Sequence, residues 1–208
     1  MTIVDDFTSY LWLIELKRKS DAVGELMSLI RRIERSGNGS EYRLTILKAD
    51  QGGEFTSDQL ADFCRERGIQ QRFSPARHPE LNGAVERQNR TVQESIISML
   101  LDADLSVWFW PYAMSWYAFT HNRTGTRTNQ NFKTPFESFY KRKPDLTGLI
   151  VFGSQGFGLD RREKGKLKAR GRPCMFLGFS SEHRSYVVWW KDNNKIGYCR
   201  TARFNESK

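Results

Sequence analysis

The sequence contains few of the residues that build metal clusters and disulfide frameworks. Its three cysteines, Cys64, Cys174 and Cys199, are far apart and fit neither a zinc pattern nor an even-numbered set of disulfides. The three histidines are equally scattered, so no His/Cys metal cluster is predicted. We therefore expect reduced thiols in a protein without a zinc finger.

Long apolar runs are also missing from the part of the chain where a targeting signal would stand. The first thirty residues interleave Asp, Glu, Lys and Arg with apolar side chains. This pattern provides neither a signal-peptide apolar stretch nor the span of about twenty apolar residues that a membrane helix needs. We predict a nuclear or cytoplasmic protein that is not secreted and has no membrane partner.

Positive charge is the excess in this composition. The 33 Lys and Arg residues against 24 Asp and Glu give a formal net charge of +9 over 208 residues. Such a balance favours a polyanionic partner through phosphate neutralisation and counterion release, which indicates nucleic acid. A modest positive excess that keeps the protein soluble is the alternative. With 38% hydrophobic residues, the chain can bury a proper core.

Strand and helix patterns alternate through the first part of the chain. Ser20 and Ser57 stand where helix caps are expected, and Gly68 stands where the second helix should stop. In order, we predict a hairpin (Thr2–Val4 and Tyr10–Leu16), a helix to residue 35, a strand (43–48), a helix to Gly68 and a strand (69–73).

Three helical stretches follow, and then the pattern changes. Residues 74–83 predict a mobile loop, and a long helix is expected from Ala84. Aromatic-rich helices from Ser106 and over Pro135–Tyr140 are expected to pack in the core. After Leu146, short apolar runs separated by turns predict a small all-β unit. We therefore predict an α/β domain over residues 1–145 and an all-β domain over residues 146–208.

Two carboxylates are candidates for chemistry. Asp50 in KADQGGEF and Glu86 in LNGAVERQNR have thirty-five residues between them. Spacing alone is weak evidence, because about two acidic pairs at that separation are expected by chance in such a chain. Asp50 could instead form a turn, and Glu86, predicted in the first turn of its helix, could simply complement the helix dipole.

Several phrases in order resemble one known family. IVDDFTSYLWLIELKRKSDA, KADQGGEF, HPELNGAVERQNRT and WPYAMSWYAFTHNRTG resemble the integrase segment of copia-type retrotransposon polyproteins, a branch of the retroviral integrase superfamily. The run from VFG through CMFLGFS, YVVWW and ARFNES resembles the SH3-like module that follows the catalytic domain there. The resemblance implies an RNase H-like core and an SH3-like C-terminal module.

The resemblance also implies a metal site. In this family Asp50 and Glu86 would each hold a Mg²⁺ or Mn²⁺ ion, and a first catalytic Asp upstream of the VDD hairpin would bridge the two ions. Two metal ions about 4 Å apart stabilise the entering and departing oxygens of phosphodiester transfer. No residue here matches that first Asp, since Asp5 and Asp6 belong to the later hairpin and are expected to be turn residues.

The missing match leads to two expectations for the chain on its own. An N-terminally truncated core lacks its first strand, so strand edges that this strand would pair should be exposed and the isolated chain only marginally stable. The fragment is also expected to be incompetent in catalysis by itself.

Basic and polar residues are candidates for DNA contact. Arg87, Asn89 and Arg90 follow Glu86 on its helix and could contact phosphates, or they could form a solvated helix face. RREKGKLKARGR, residues 161–172, carries seven positive charges against one negative charge and could grip DNA backbone or be a soluble loop. Its lysines Lys164, Lys166 and Lys168 are the candidates there.

The favoured function is therefore DNA integration, in which retroelement DNA ends are joined to target DNA. The full-length protein would be a homo-oligomer with an upstream zinc-binding module. The alternative is a non-catalytic nucleic-acid-binding remnant of a retrotransposon. A ribonuclease H or another nuclease shares the fold and metals, but it does not explain the aromatic helices and the all-β unit that follow the core.

Overall fold

The computed structural model is a mixed α/β fold with a C-terminal antiparallel sheet, which confirms the predicted fold class. It describes residues 1–35, 43–74, 79–126, 129–159 and 171–206. No helix among these residues is long and apolar enough to cross a membrane. The elements are β1 (Thr2–Val4), β2 (Leu11–Leu13), α1 (Ala22–Arg35), β3 (Ile46–Ala49), α2 (Asp58–Arg67), β4 (Gln70–Phe73), α3 (Pro79–Asp102), α4 (Trp110–His121), α5 (Pro135–Tyr140), β5 (Gln155–Leu159), β6 (Gly171–Ser180), β7 (Ser185–Trp190), β8 (Lys195–Cys199) and β9 (Ala202–Asn205).

The first compact unit comprises Met1–Ile3 and Trp12–Asn89. Within it β3 and β4 run parallel, in register from Ile46 opposite Gln70 to Ala49 opposite Phe73. A parallel pair needs a crossover connection, and α2 provides it. The apolar faces of α1 and α2 form the core of this unit, whose buried members are Val23, Leu26, Met27, Ile30, Leu60, Phe63, Cys64 and Ile69.

The strands of the N-terminal region form two separate pairs. The order of the first sheet is β1-β2, and the order of the second is β3-β4. The hairpin and both strands of the parallel pair were predicted from the sequence and are confirmed. The expectation of marginal stability from unpaired strand edges stays a prediction.

Helix ends in this region agree with the sequence only in part. Gly68 ends α2 in the left-handed conformation, with φ 66°, as predicted. Ser20, in contrast, is not the cap of α1, because it lies within a 3-10 turn over Lys19–Asp21 that precedes the helix. The predicted loop over residues 74–83 is wrong from Pro79 onward, where α3 already begins; residues 75–78 lie outside the described residues. Pro79 is compatible with this position, since the first turn of a helix has no partner for its N–H groups.

The second compact unit comprises Val4–Leu11 and Arg90–Lys208. Its five-stranded antiparallel sheet has the order β8-β7-β6-β5-β9. Strand β6 packs against α4, where the Trp116 and Phe176 rings meet edge to face with centroids 4.8 Å apart. Both side chains are buried, so this contact anchors the helix to the sheet.

The aromatic residues around α4 divide between core and surface. Phe109 and Trp116 are buried, as expected from the sequence. Trp108 and Trp110 are exposed, so the expectation that they pack in the core is wrong. The predicted domain boundary at Leu146 stays a prediction.

Candidate metal and nucleic-acid site

Asp50 follows directly after β3, at the carboxyl end of the parallel strand pair. The carboxyl end of β4 lies at the same edge, where the Ser74 N–H donates to the Ala49 carbonyl at 3.0 Å. Ligands of parallel sheets usually bind outside the carboxyl ends of the strands. The Asp50 side chain is exposed at this edge and can therefore reach a ligand there.

The turn after Asp50 brings a second carboxylate into the same space. Asp50 Oδ1 accepts a hydrogen bond from the Gly52 N–H at 3.2 Å, so the turn-forming interpretation of Asp50 is confirmed. A side-chain carbon added at Gly52 would lie 3.1 Å from Asp50 Oδ1 and 3.1 Å from Glu54 Oε1. Both carboxylates therefore border the small space that glycine leaves open.

Glu54 is a candidate that the sequence reasoning missed. Its side chain is 16% exposed, and its Oε1 lies 3.2 Å from Lys19 Nζ. The pKa of Glu54 is lowered, first by a hydrogen bond from its own backbone N–H and then by Lys19. The sequence shows this carboxylate four residues after Asp50, in GGEF, but it does not show the turn that brings the two together.

A pH titration tests this description of Glu54. Replacing Lys19 with methionine should move the pKa of Glu54 upward but leave it below its ordinary value, because the backbone N–H still favours the carboxylate. The stability that the ionised Glu54 side chain contributes to the folded protein is fully present above the ordinary carboxyl pKa. It is lost as the pH falls through the lowered pKa of the folded state. Side-chain carboxyl shifts followed by NMR measure this. An unchanged pKa in the Lys19→Met variant would show that the ion pair has no influence in solution.

Glu86 lies in α3 and is exposed, but it lies further from the start of the helix than the sequence predicted. Because α3 begins at Pro79, Glu86 lies beyond the first turn, and the expected placement in the first turn is wrong. The dipole interpretation loses its basis, since this effect falls off within the first turn. Arg87 is exposed, Asn89 is partly buried, and Arg90 is exposed.

The structure brings Asp50 together with Glu54, and it places Asp50 and Glu86 in the same compact unit. Within the described ranges it assembles no group of three or more His, Cys, Asp or Glu side chains that could hold a metal ion. Lys164, Lys166 and Lys168 lie outside the described residues. The expected grip of residues 161–172 on DNA therefore stays a prediction.

Asp5 is a turn residue in the structure. Its Oδ2 accepts hydrogen bonds from the Thr8 N–H at 2.9 Å and from the Thr8 hydroxyl at 2.5 Å. The Ser9 N–H donates to the Asp5 carbonyl at 2.8 Å and closes the turn. The hairpin-turn interpretation of Asp5 is thus confirmed.

Two protein families match parts of this chain. The family described as integrase core domain matches residues 1–79, and the retroviral polymerase SH3-like domain matches residues 158–208. The first match includes Asp50 and Glu54 and ends before Glu86. The second match includes β6, β7, β8 and β9 of the antiparallel sheet.

Similarity over nearly the whole chain is found with plant transposons. The Pol polyprotein of transposon RE1 from Arabidopsis thaliana is 31% identical over 205 residues, and that of transposon TNT 1-94 from Nicotiana tabacum is 29% identical over 209 residues. The alignments cover 98% and 100% of this chain but only 14% and 15% of the two polyproteins. The chain therefore spans about one seventh of the length of these relatives.

A solved structure shares the fold. The cryoEM structure of a simian T-cell lymphotropic virus intasome in complex with PP2A regulatory subunit B56 gamma contains a chain that aligns with a TM-score of 0.54 at 16% identity. The alignment covers 98% of this chain and 70% of that chain. The two matched families are an integrase core domain and, after it, an SH3-like domain, and the likeness to the intasome chain shows the fold alone. The homologues of this chain are copia-type Pol polyproteins of plant transposons.

Proposed function

We propose that this chain contributes to DNA integration as the integrase segment of a retrotransposon polyprotein, in metal-dependent joining of retroelement DNA ends to target DNA. The observation that carries the proposal is the exposed carboxylate of Asp50 at the carboxyl edge of the β3–β4 pair, within the region that matches the integrase core. The net charge of +9 supports a DNA partner. DNA as the substrate is consistent with a protein that acts in the nucleus or the cytoplasm.

The chemistry of the candidate carboxylates fits Mg²⁺ or Mn²⁺. Hard cations prefer oxygen ligands, and exposed carboxylates leave positions for water. Asp50 and Glu86 would hold the metal, with Glu54 beside Asp50 as a further oxygen donor. When bound, the metal would stabilise the charge on the phosphate oxygens during transfer. This chain's own residues would place the carboxylates and, through Arg87, Asn89 and Arg90, hold the DNA backbone.

Metal binding can be measured without catalysis. Titrating Mn²⁺ into ¹⁵N-labelled protein should broaden the amide resonances of Gly52 and Glu54, because the ion is paramagnetic and would lie next to them. Asp50→Asn should remove this broadening, whereas Asp62→Asn, at an exposed carboxylate on α2, should leave it unchanged. Broadening that persists in Asp50→Asn would contradict the assignment.

DNA binding is the second test. Affinity for a labelled duplex should fall steeply with salt, with a log–log slope of about −0.9 for each phosphate contacted. The double variant Arg87→Gln/Arg90→Gln should lower the absolute value of this log–log slope by about 2, because two phosphate contacts are lost. Arg65→Gln, at an exposed arginine on α2, should leave the slope unchanged. Equal slopes for all three proteins would refute the proposed phosphate contacts.

Catalysis separates the proposal from its alternative, a non-catalytic nucleic-acid-binding remnant. We expect this chain alone to bind DNA without joining strands, since its two predicted catalytic carboxylates are one fewer than the family uses. A strand-joining assay with Mg²⁺ or Mn²⁺ measures this. Joined product that disappears in Asp50→Asn would show that the chain is competent on its own.

We also propose that the full-length protein is a homo-oligomer. The similar solved structure, which is an intasome, supports this in general terms.

A further inference from the structure

Lys19 places an ammonium group beside the carboxylates of the proposed metal site. Its Nζ lies 3.2 Å from Glu54 Oε1, and Glu54 and Asp50 border the same small space at Gly52. Lys19 belongs to the 3-10 turn that precedes α1, so the cation comes from an element distant in sequence from both carboxylates. All of these residues belong to the first compact unit. The contact between Lys19 and Glu54 is therefore a tertiary contact next to Asp50.

The turn that carries Glu54 is held by its own hydrogen bonds. The Phe55 N–H donates to the Gly52 carbonyl at 2.9 Å. The Ser57 hydroxyl donates to the Glu54 carbonyl at 2.9 Å. Neither bond involves Lys19. The backbone that carries the Glu54 carboxylate should therefore keep its conformation when Lys19 is replaced or when its ammonium moves away.

The two partners of this ion pair differ in exposure. The Lys19 side chain is 79% exposed, whereas the Glu54 side chain is 16% exposed. An exposed lysine loses little free energy when it leaves an ion pair, because water solvates its ammonium again. The Glu54 carboxylate is mostly covered and stays beside Asp50. A divalent cation has twice the charge of the ammonium and prefers carboxylate oxygens, so it can compete with Lys19 for this group.

We propose that Lys19 sets the metal affinity of this site, because its ammonium and the divalent cation compete for the Glu54 carboxylate. Lys19 acts through Glu54 and is a positioning residue. Its charge reduces the repulsion between the neighbouring carboxylates of Asp50 and Glu54, and a bound divalent cation takes over this role. The inference rests on the metal site of the proposed function and adds to it the residue that limits how tightly the ion is held.

Binding of Mg²⁺ to the full chain tests this proposal without catalysis. Mg²⁺ is added stepwise to ¹⁵N-labelled protein, and the amide shifts of Gly52 and Glu54 give the dissociation constant. Lys19→Met should lower this constant about threefold to tenfold, because a positive charge next to the ion is removed. Lys19→Arg keeps the charge and should stay within about twofold of the unsubstituted chain. The exposed position of Lys19 should let both variants fold, and circular dichroism verifies this.

Lys17→Met is the matched control, since Lys17 is an exposed lysine two residues before Lys19. It removes the same charge from the same segment. The dissociation constant for Mg²⁺ should stay within about twofold of that of the unsubstituted chain, because salt screens charges that lie apart on the surface. A general effect of net charge would instead lower the constant equally in Lys17→Met and Lys19→Met, and this result would overturn the proposal.

A double-mutant cycle shows whether Lys19 acts through Glu54. Glu54→Gln should weaken Mg²⁺ binding, and Lys19→Met should have no further effect in that background, since the carboxylate for which the two cations compete is gone. The proposal fails if Lys19→Met alone leaves the constant unchanged or raises it. It fails as well if Lys19→Met lowers the constant by the same factor with and without Glu54→Gln.

Asp50→Asn separates this inference from the proposed function. Mg²⁺ binding that Asp50→Asn abolishes but Lys19→Met does not strengthen would overturn the inference alone. Mg²⁺ binding that is the same in Asp50→Asn as in the unsubstituted chain, or no binding of Mg²⁺ at any concentration, would overturn the metal site of the proposed function and this inference with it.

Discussion

Replacing Asn122 with leucine should lower the free energy of unfolding by about 2 to 4 kcal/mol. Asn122, at the end of α4, is buried and holds β2 by two hydrogen bonds. Its Oδ1 accepts from the Leu11 N–H at 2.8 Å, and its Nδ2 donates to the Leu11 carbonyl at 2.8 Å. Leu11 is buried too, so the substitution would leave a donor and an acceptor without partners away from water.

Urea unfolding followed by tryptophan fluorescence measures this loss. Asn193→Leu is the control, because Asn193 is exposed and its side chain accepts from the nearby Lys195 N–H, at 3.1 Å. We expect the control to cost less than about 1 kcal/mol. If Asn122→Leu and Asn193→Leu proved equally stable, the hydrogen bonds between the Asn122 side chain and the Leu11 backbone would not contribute to the free energy of unfolding.

Gly156→Ala should destabilise the C-terminal sheet by about 3 kcal/mol. Gly156 is in β5, opposite Cys174 of β6 and Phe204 of β9. A Cβ added there would lie 2.1 Å from the Arg203 carbonyl oxygen and 2.9 Å from Phe204 Cα, both backbone atoms. Backbone cannot move aside as a flexible side chain can, so β9 would have to separate from β5.

Gly148→Ala is the matched control, because no atom lies within 4 Å of a Cβ added there. Its effect should stay within about 0.5 kcal/mol. Urea unfolding quantifies both variants, and amide exchange of β9 locates the damage. Protection of β9 that is the same in Gly156→Ala as in the unsubstituted chain would contradict the steric argument.

Much of the fold follows from local sequence patterns. The helical spacing of Leu60, Phe63 and Cys64 predicted the buried face of α2, and all three side chains are buried. Gly68 predicted the end of that helix because a left-handed residue there favours glycine. The position of Asp50 at a strand end could also be predicted. The apolar spacing in RLTILK indicates a strand, and the Gly pair that follows indicates the turn that ends it.

The sequence predictions that are wrong concern segments in which local signals favoured a different structure. Asn82-Gly83 is typical of a turn, yet it lies inside α3, because tertiary context overrides such propensities. Trp108 was expected in the core as one of the aromatic residues of a predicted helix, but it lies in a 3-10 turn and is exposed. Glu54 was missed because nothing in its spacing says that the turn at Gly52 brings it beside Asp50.

The sequence alone determined most of the elements, the sign of the charge and the resemblance to integrases, because periodicity, caps and ordered motifs are properties of neighbouring residues. Only the tertiary structure decided which distant groups meet. Asn122 and Leu11 are 111 positions apart, and no local pattern predicts their pairing. The same holds for the exposed side chains of Ile97 and Leu101 on α3, since a helix shows which residues share a face but not which face its neighbours cover.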